Sequence, residues 1–101
     1  MSYYVVADED TVLGFRYAGV GGEVVEGSEQ AREVFQRVCD SGKYDIVILT
    51  EVVANSIRDA VNRVRFEVQE PIVVEVPDAS GPTPGRADLL KLIREAVGLR
   101  L

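Results

Sequence analysis

Residues 14–25 read GFRYAGVGGEVV, four glycines in twelve positions with Phe15 and Tyr17 between the first two. A cluster like this is either a loop that cradles phosphate or a tight joint between a helix and a strand. In a dinucleotide fingerprint the glycines follow a strand and open a helix, where free amides and the helix dipole meet the pyrophosphate. Here Gly19, Gly21 and Gly22 follow a helical pattern and precede a strand pattern. The order is inverted, so the stretch reads as a helix stop and turn in which glycine supplies the positive φ that other residues resist. A small nucleotide-binding enzyme is disfavoured for the same reason.

Three runs outside this joint are continuously apolar: YYVV at 3–6, IVIL at 46–49 and IVV at 72–74. Such runs suit strands buried on both faces of a parallel sheet better than half-exposed strands that alternate. A fourth, weaker strand is GEVVEG, 22–27, whose charged ends suggest a sheet edge. A short first helix is expected over about 11–18 with Asp10 as its cap and Val12, Phe15 and Ala18 on its buried side. Ser28 is expected to cap a second, in which Ala31, Val34, Phe35, Val38 and Cys39 make one face of a 3.6-residue repeat and Gly42 ends it. Thr50 is expected to cap a third, with Val53, Ile57, Ala60, Val61 and Val64 inward and Arg58, Asn62, Arg63 and Arg65 outward. Pro71 forces extended chain before the last strand.

Strict alternation of strand and helix predicts an α/β fold, a small doubly wound four-stranded parallel sheet in the order 2-1-3-4, flavodoxin- or receiver-like, with a C-terminal helix. The length of 101 residues fits one domain: an α/β Rossmann-like body over 1–79, then a linker and C-terminal helical segment over 80–101. The second and third helices share one face, which leaves the short first helix alone on the other. The C-terminal segment is the expected additional cover. Thr83 and Pro84 open a helix well and Gly98 suits its stop. It carries two apolar stripes, Leu89, Leu92, Ala96 and Leu99 beside Leu90, Ile93, Val97 and Leu101, and the second stripe suggests contact with another chain.

Composition excludes several classes. The formal charge of −6 argues against a nucleic-acid binder, and it is unevenly spread: residues 1–81 hold 15 acids and 7 bases, residues 82–101 hold 2 acids and 4 bases. No apolar run approaches the roughly 20 residues that cross a bilayer. MSYYVVADED lacks a secretion signal's basic flank, so a cytoplasmic protein without direct membrane insertion is expected. With one cysteine and no histidine, an internal disulfide and the usual zinc, haem and acyl-transfer sets are missing; Cys39 reads as a small core residue. Asp8, Glu9 and Asp10 follow the first strand at the edge where open sheets bind ligands, as the magnesium-binding carboxylates of a receiver domain do. A receiver also needs an aspartate after the third strand and a lysine after a fifth. Thr50 and Glu51 stand at the first place, so a divergent magnesium-binding receiver is kept only as an alternative, and Asp8 and Asp10 read as helix caps. No catalytic, cofactor or metal residue is assigned.

The ordered set of GFRYAGV at 14–20, the Thr50–Glu51 pair, Arg58, PIVVEVP at 71–77, Gly81–Pro82 and AVGLRL at 96–101 resembles the F subunit of the A-type and V-type ATP synthases across nearly the whole chain. The resemblance implies a non-catalytic central-stalk subunit on the cytoplasmic face of the membrane. It would bind the coiled coil of the D subunit, contact other stalk subunits and the catalytic head, help couple ATP synthesis or hydrolysis to H+ or Na+ transport, and adjust ATPase activity. The candidate contact residues come from physical argument. Leu92, Leu99 and Leu101 have the a/d-like spacing that suits a coiled coil. Val74 and Val76 lie on a last strand whose edge needs cover. Arg58, Arg63 and Arg65 form a small basic patch on an acidic body.

Overall fold

The computed structural model describes residues 2–77. The expected C-terminal helix, with Leu92, Leu99 and Leu101, and the proposed boundary at 79–80 lie outside them. Four strands, β1 (Tyr3–Ala7), β2 (Gly21–Val24), β3 (Ile46–Thr50) and β4 (Ile72–Val76), form one parallel sheet in the order β2-β1-β3-β4. The predicted order holds, and β2 and β4 are its edges. β1 and β3 pair from Tyr3 opposite Ile46 to Val6 opposite Leu49. Val5, Val6, Ala7, Val47, Ile48 and Leu49 are all buried, as central strands with helices on both faces require.

Helix α1 (Glu9–Tyr17) opens two residues earlier than expected. Its cap is Asp8 rather than Asp10: the Asp8 carboxylate accepts the Thr11 N–H at 3.2 Å and the Thr11 hydroxyl at 2.7 Å. Asp8 alone combines extended backbone with the three-residue spacing to Thr11, and Asp10 falls inside the first turn, where the helix dipole favours its charge. The helix ends as the glycine cluster predicts. Gly19 adopts φ +86°, its N–H donates to Arg16 O and the Val20 N–H donates back to Phe15 O, both at 2.9 Å. Buried Val20 and Phe15 join the same cluster, completing a Schellman stop with its apolar contact.

Helix α2 (Gly27–Asp40) also starts earlier, with Glu26 in place of the expected Ser28 at its cap. Gly27 at φ +82° turns the chain into the helix before Ser28 is reached, and the Gln30 side chain accepts the Glu26 N–H at 2.8 Å. Gly42, at φ +66°, closes it as expected. Thr50 does cap the next helix, its hydroxyl accepting the Val53 N–H at 3.2 Å.

The single helix expected beyond Thr50 is three pieces: α3 (Glu51–Ser56), α4 (Arg58–Arg63) and a π-helical turn over Val64–Val68. The Ser56 hydroxyl donates to Val53 O at 2.7 Å, taking the carbonyl that an unbroken helix would offer to Ile57. The Ile57 N–H bonds Ala54 O instead, and the backbone opens to φ −129°, ψ 38°. The apolar stripe survives because Val53, Ile57, Ala60, Val61 and Val64 are all buried.

Two clusters line the two faces of the sheet. α2, α3, α4 and the π turn cover Val6, Val47, Leu49 and Val73. On the other face Val12, Phe15 and Val20 cover Val5, Ala7, Ile48 and Val76. That second face is unevenly covered along β4: Val76 is buried, Val74 half-buried and Ile72 54% exposed. Among the described helices α1 is the one on this face, and its nine residues span about 13 Å.

Candidate partner-binding surface

The strand β4 carries one charged residue, Glu75, in an otherwise apolar IVVEV. An isolated carboxylate at the edge of a sheet needs a partner. It has two. Arg58 donates to both of its oxygens, at 2.7 and 2.9 Å, and Arg65 approaches to 2.9 Å. The break at Ile57 makes Arg58 the first residue of α4, where its guanidinium also reaches the Asn55 side-chain oxygen at 2.6 Å. With its carboxylate 19% exposed, this shared acid is the least accessible anion of the described ion pairs. The Arg58 hydrogen bonds, followed by the charges of Arg58 and Arg65, hold the Glu75 carboxyl below the usual range, and the bond to Glu75 raises Arg58 in turn.

The edge of β4 is blunted by the same side chain. Ile72 donates its N–H to Asp45 O at 2.9 Å, a register that turns the backbone groups of Ile72, Val74 and Val76 towards β3 and those of Val73 and Glu75 outwards. Arg65 then donates to the outward Val73 carbonyl at 3.0 Å. A strand edge would otherwise offer that acceptor to another chain. Val76 is buried against α1's cluster and Val74 packs beside it, so these two expected contact residues present side chains to the second face and no backbone to the edge.

The expected basic patch is therefore divided. Arg58 and Arg65 face β4 and are only about a third exposed. Arg63 stays on the exposed side of α4 and donates to the Gln36 side chain of α2 at 2.6 Å. Expecting three outward arginines overlooked Glu75. The legible signal for it was the lone acid inside an apolar strand, which says that a cation must meet it but not which one.

Other charged groups are structural ties. Arg37 holds Glu23 at 2.6 Å, and Tyr4 donates to the same carboxylate at 2.9 Å. Burial, followed by the bond to Glu23, pushes the Tyr4 hydroxyl up to about 12, while the Arg37 bond lowers Glu23. Arg32 pairs with Asp59 at 2.8 Å, joining α2 to α4. Burial pushes the Cys39 thiol up to about 11, in keeping with a packing role at the rim of the core. At the other end of the strands, the Asp8 carboxylate is engaged by Thr11, and β3 ends on Thr50, buried and used as a cap.

The family model described as ATP synthase (F/14-kDa) subunit matches residues 4–93. The A-type ATP synthase F subunit of Methanothermobacter thermautotrophicus is 34% identical over 99 residues, covering 96% of this chain and 92% of the relative. That of Methanococcus maripaludis is 38% identical over 97 residues, with 94% and 93% covered. That of Pyrococcus furiosus is 33% identical over 106 aligned positions, with 100% and 98% covered.

Proposed function

The chain belongs to the family of ATP synthase (F/14-kDa) subunits, and from that membership we propose that it is a non-catalytic central-stalk component of an A-type rotary ATPase. It binds the coiled-coil stalk partner, touches neighbouring stalk subunits and the catalytic head, and takes part in coupling and in setting ATPase activity. The complex holds it at the cytoplasmic face of the membrane. Among the described residues no helix is long and apolar enough to cross a bilayer. The observation that supports this reading best is the match over residues 4–93.

The fold supplies the physical support. The second face of the sheet loses cover from Val76 to Ile72, so it has apolar surface to offer a long helical partner. Val74 lies in the middle of that gradient. Leu92, Leu99 and Leu101 remain the candidates from the C-terminal segment. Of the three arginines Arg63 gives the cleanest charge-reversal test, because reversing Arg58 or Arg65 also strips Glu75 of its cations.

The test is capture of the coiled-coil stalk partner by this chain. Removing residues 84–101 weakens capture while the far-UV circular dichroism of the body is retained; undiminished capture refutes the assignment of those leucines. Arg63→Glu slows association most at low salt, and a rate indifferent to both charge and salt removes Arg63 from the interface.

A further inference from the structure

At the opposite end of the strands from Asp8 and Thr50, the C-terminus of α2, the π turn and the start of β4 leave a groove. Its larger part, about 500 Å³, is lined by Cys39, Gly42, Tyr44, Asp45, Val68, Glu70, Pro71 and Ile72. A second part, about 390 Å³, continues over Gln36, Asp40, Arg63, Val64 and Glu67, sharing Cys39, Val68 and Glu70 with the first. Two of its apolar lining side chains are uncovered: Val68 is 58% exposed and Ile72 54%. Two apolar side chains open to water in one groove are a liability unless something covers them.

The rim states what that something is. Asp40, Asp45, Glu67 and Glu70 line the groove with them, against Arg63 in the lining and Lys43 beside it in sequence. Arg63 is already held by Gln36, Asp40 by Gln36 from the same helix, and Asp45 by the Ser2 N–H and hydroxyl. Glu67 and Glu70 have no hydrogen-bond or ion-pair partner among the described residues. Uncovered apolar side chains with two uncommitted carboxylates in one groove match a segment that carries apolar side chains flanked by Lys or Arg.

We propose that this groove is a second docking site, which meets the second face of the sheet only at Ile72, for a basic amphipathic segment of a partner protein. The apolar side chains of the segment cover Val68 and Ile72, and its cations lie against Glu67 and Glu70. The proposal stands without the assignment of the coiled-coil partner, since it rests on the groove and its charge.

A suitable probe is a synthetic amphipathic peptide with a leucine stripe flanked by lysines and arginines, together with a twin in which each cation is replaced by glutamate. Titrated into the full chain, the basic peptide shifts the backbone amide resonances of Cys39, Gly42, Val68, Glu70 and Ile72, and the acidic twin does not. Glu67→Lys with Glu70→Lys, or Val68→Ser alone, weakens binding about tenfold. All three positions are exposed, so these variants keep the fold. Equal binding of the twin, unaltered affinity of the variants, or shifts confined to other surfaces overturns the proposal. So does either competing occupant: broadening of the groove amides by a spin label on Leu101→Cys in a Cys39→Ser background, or concentration-dependent shifts of those amides in the free chain, which would mean a second copy.

Discussion

Three neighbouring glycines separate the physical roles that the opening stretch combines. Each is to be replaced by alanine and the variants unfolded in urea. At Gly22 a Cβ would stand 2.5 Å from the Val5 carbonyl oxygen, well inside ordinary contact, with the Val5 side chain closer still. Val5 is the register partner of Gly22 and fully buried in β1, so neither side can step back without opening the β1–β2 ladder. Overpacking costs about 1–3 kcal/mol, and a clash with backbone belongs at the upper end; offset by about 0.4–1 kcal/mol from the narrower unfolded ensemble, the expected net loss for Gly22→Ala is about 2 kcal/mol. Gly19 is the reverse case. Nothing lies within 4 Å of its added carbon, but φ is +86°. The left-handed penalty of about 1–2 kcal/mol, less the same offset, leaves about 1 kcal/mol. Gly21 has neither problem, since the Tyr4 ring at 3.8 Å is ordinary contact, so Gly21→Ala should be neutral or slightly stabilising. In thermal melts at about 4–8 °C per kcal/mol the Gly22 variant falls by roughly 10 °C and the Gly19 variant by about half as much. Far-UV circular dichroism reads both transitions. A Gly22→Ala protein as stable as the parent, or a Gly21 variant less stable than the Gly19 variant, refutes the reasoning.

Two further predictions concern titrating groups. Because Arg58 and Arg65 lower the Glu75 carboxyl below its ordinary value of 4.5, its contribution is fully present above that pH and is lost as the pH falls through the folded-state value. The stability gap between the parent and Glu75→Gln, measured in urea at successive pH values, should therefore be widest at neutral pH and close in acid; a gap constant down to about pH 3 would contradict the clamp. The Cys39 thiol, pushed up to about 11 by burial, should be alkylated by iodoacetamide at pH 8 roughly a hundredfold more slowly than an exposed thiol. Reaction at the rate of a free thiol would show that Cys39 is not held against the core.

The local pattern of the chain was sufficient for the architecture. Continuous runs such as IVIL could be satisfied only by burial on both faces, and the inverted order of helix, glycines and strand left no place for a phosphate loop. Those are short-range properties: residue type, spacing and the φ that glycine permits. The strand order and the edges follow from them through the rule that crossovers are right-handed. Family resemblance was likewise carried by the linear order of short motifs.

What tertiary structure decided is where side chains find partners across the chain. Ser56 diverts one carbonyl, the helix breaks at Ile57, and Arg58 meets a carboxylate seventeen residues away that its own neighbourhood does not reveal. Caps moved to Asp8 and Glu26 because backbone direction, set by the preceding strands, chose which residue turns first. Amphipathic spacing identifies the inner stripe of a helix, but whether an outward arginine meets solvent, a strand edge or a partner depends on what packing brings within a few ångströms. That information is non-local, and no periodicity contains it.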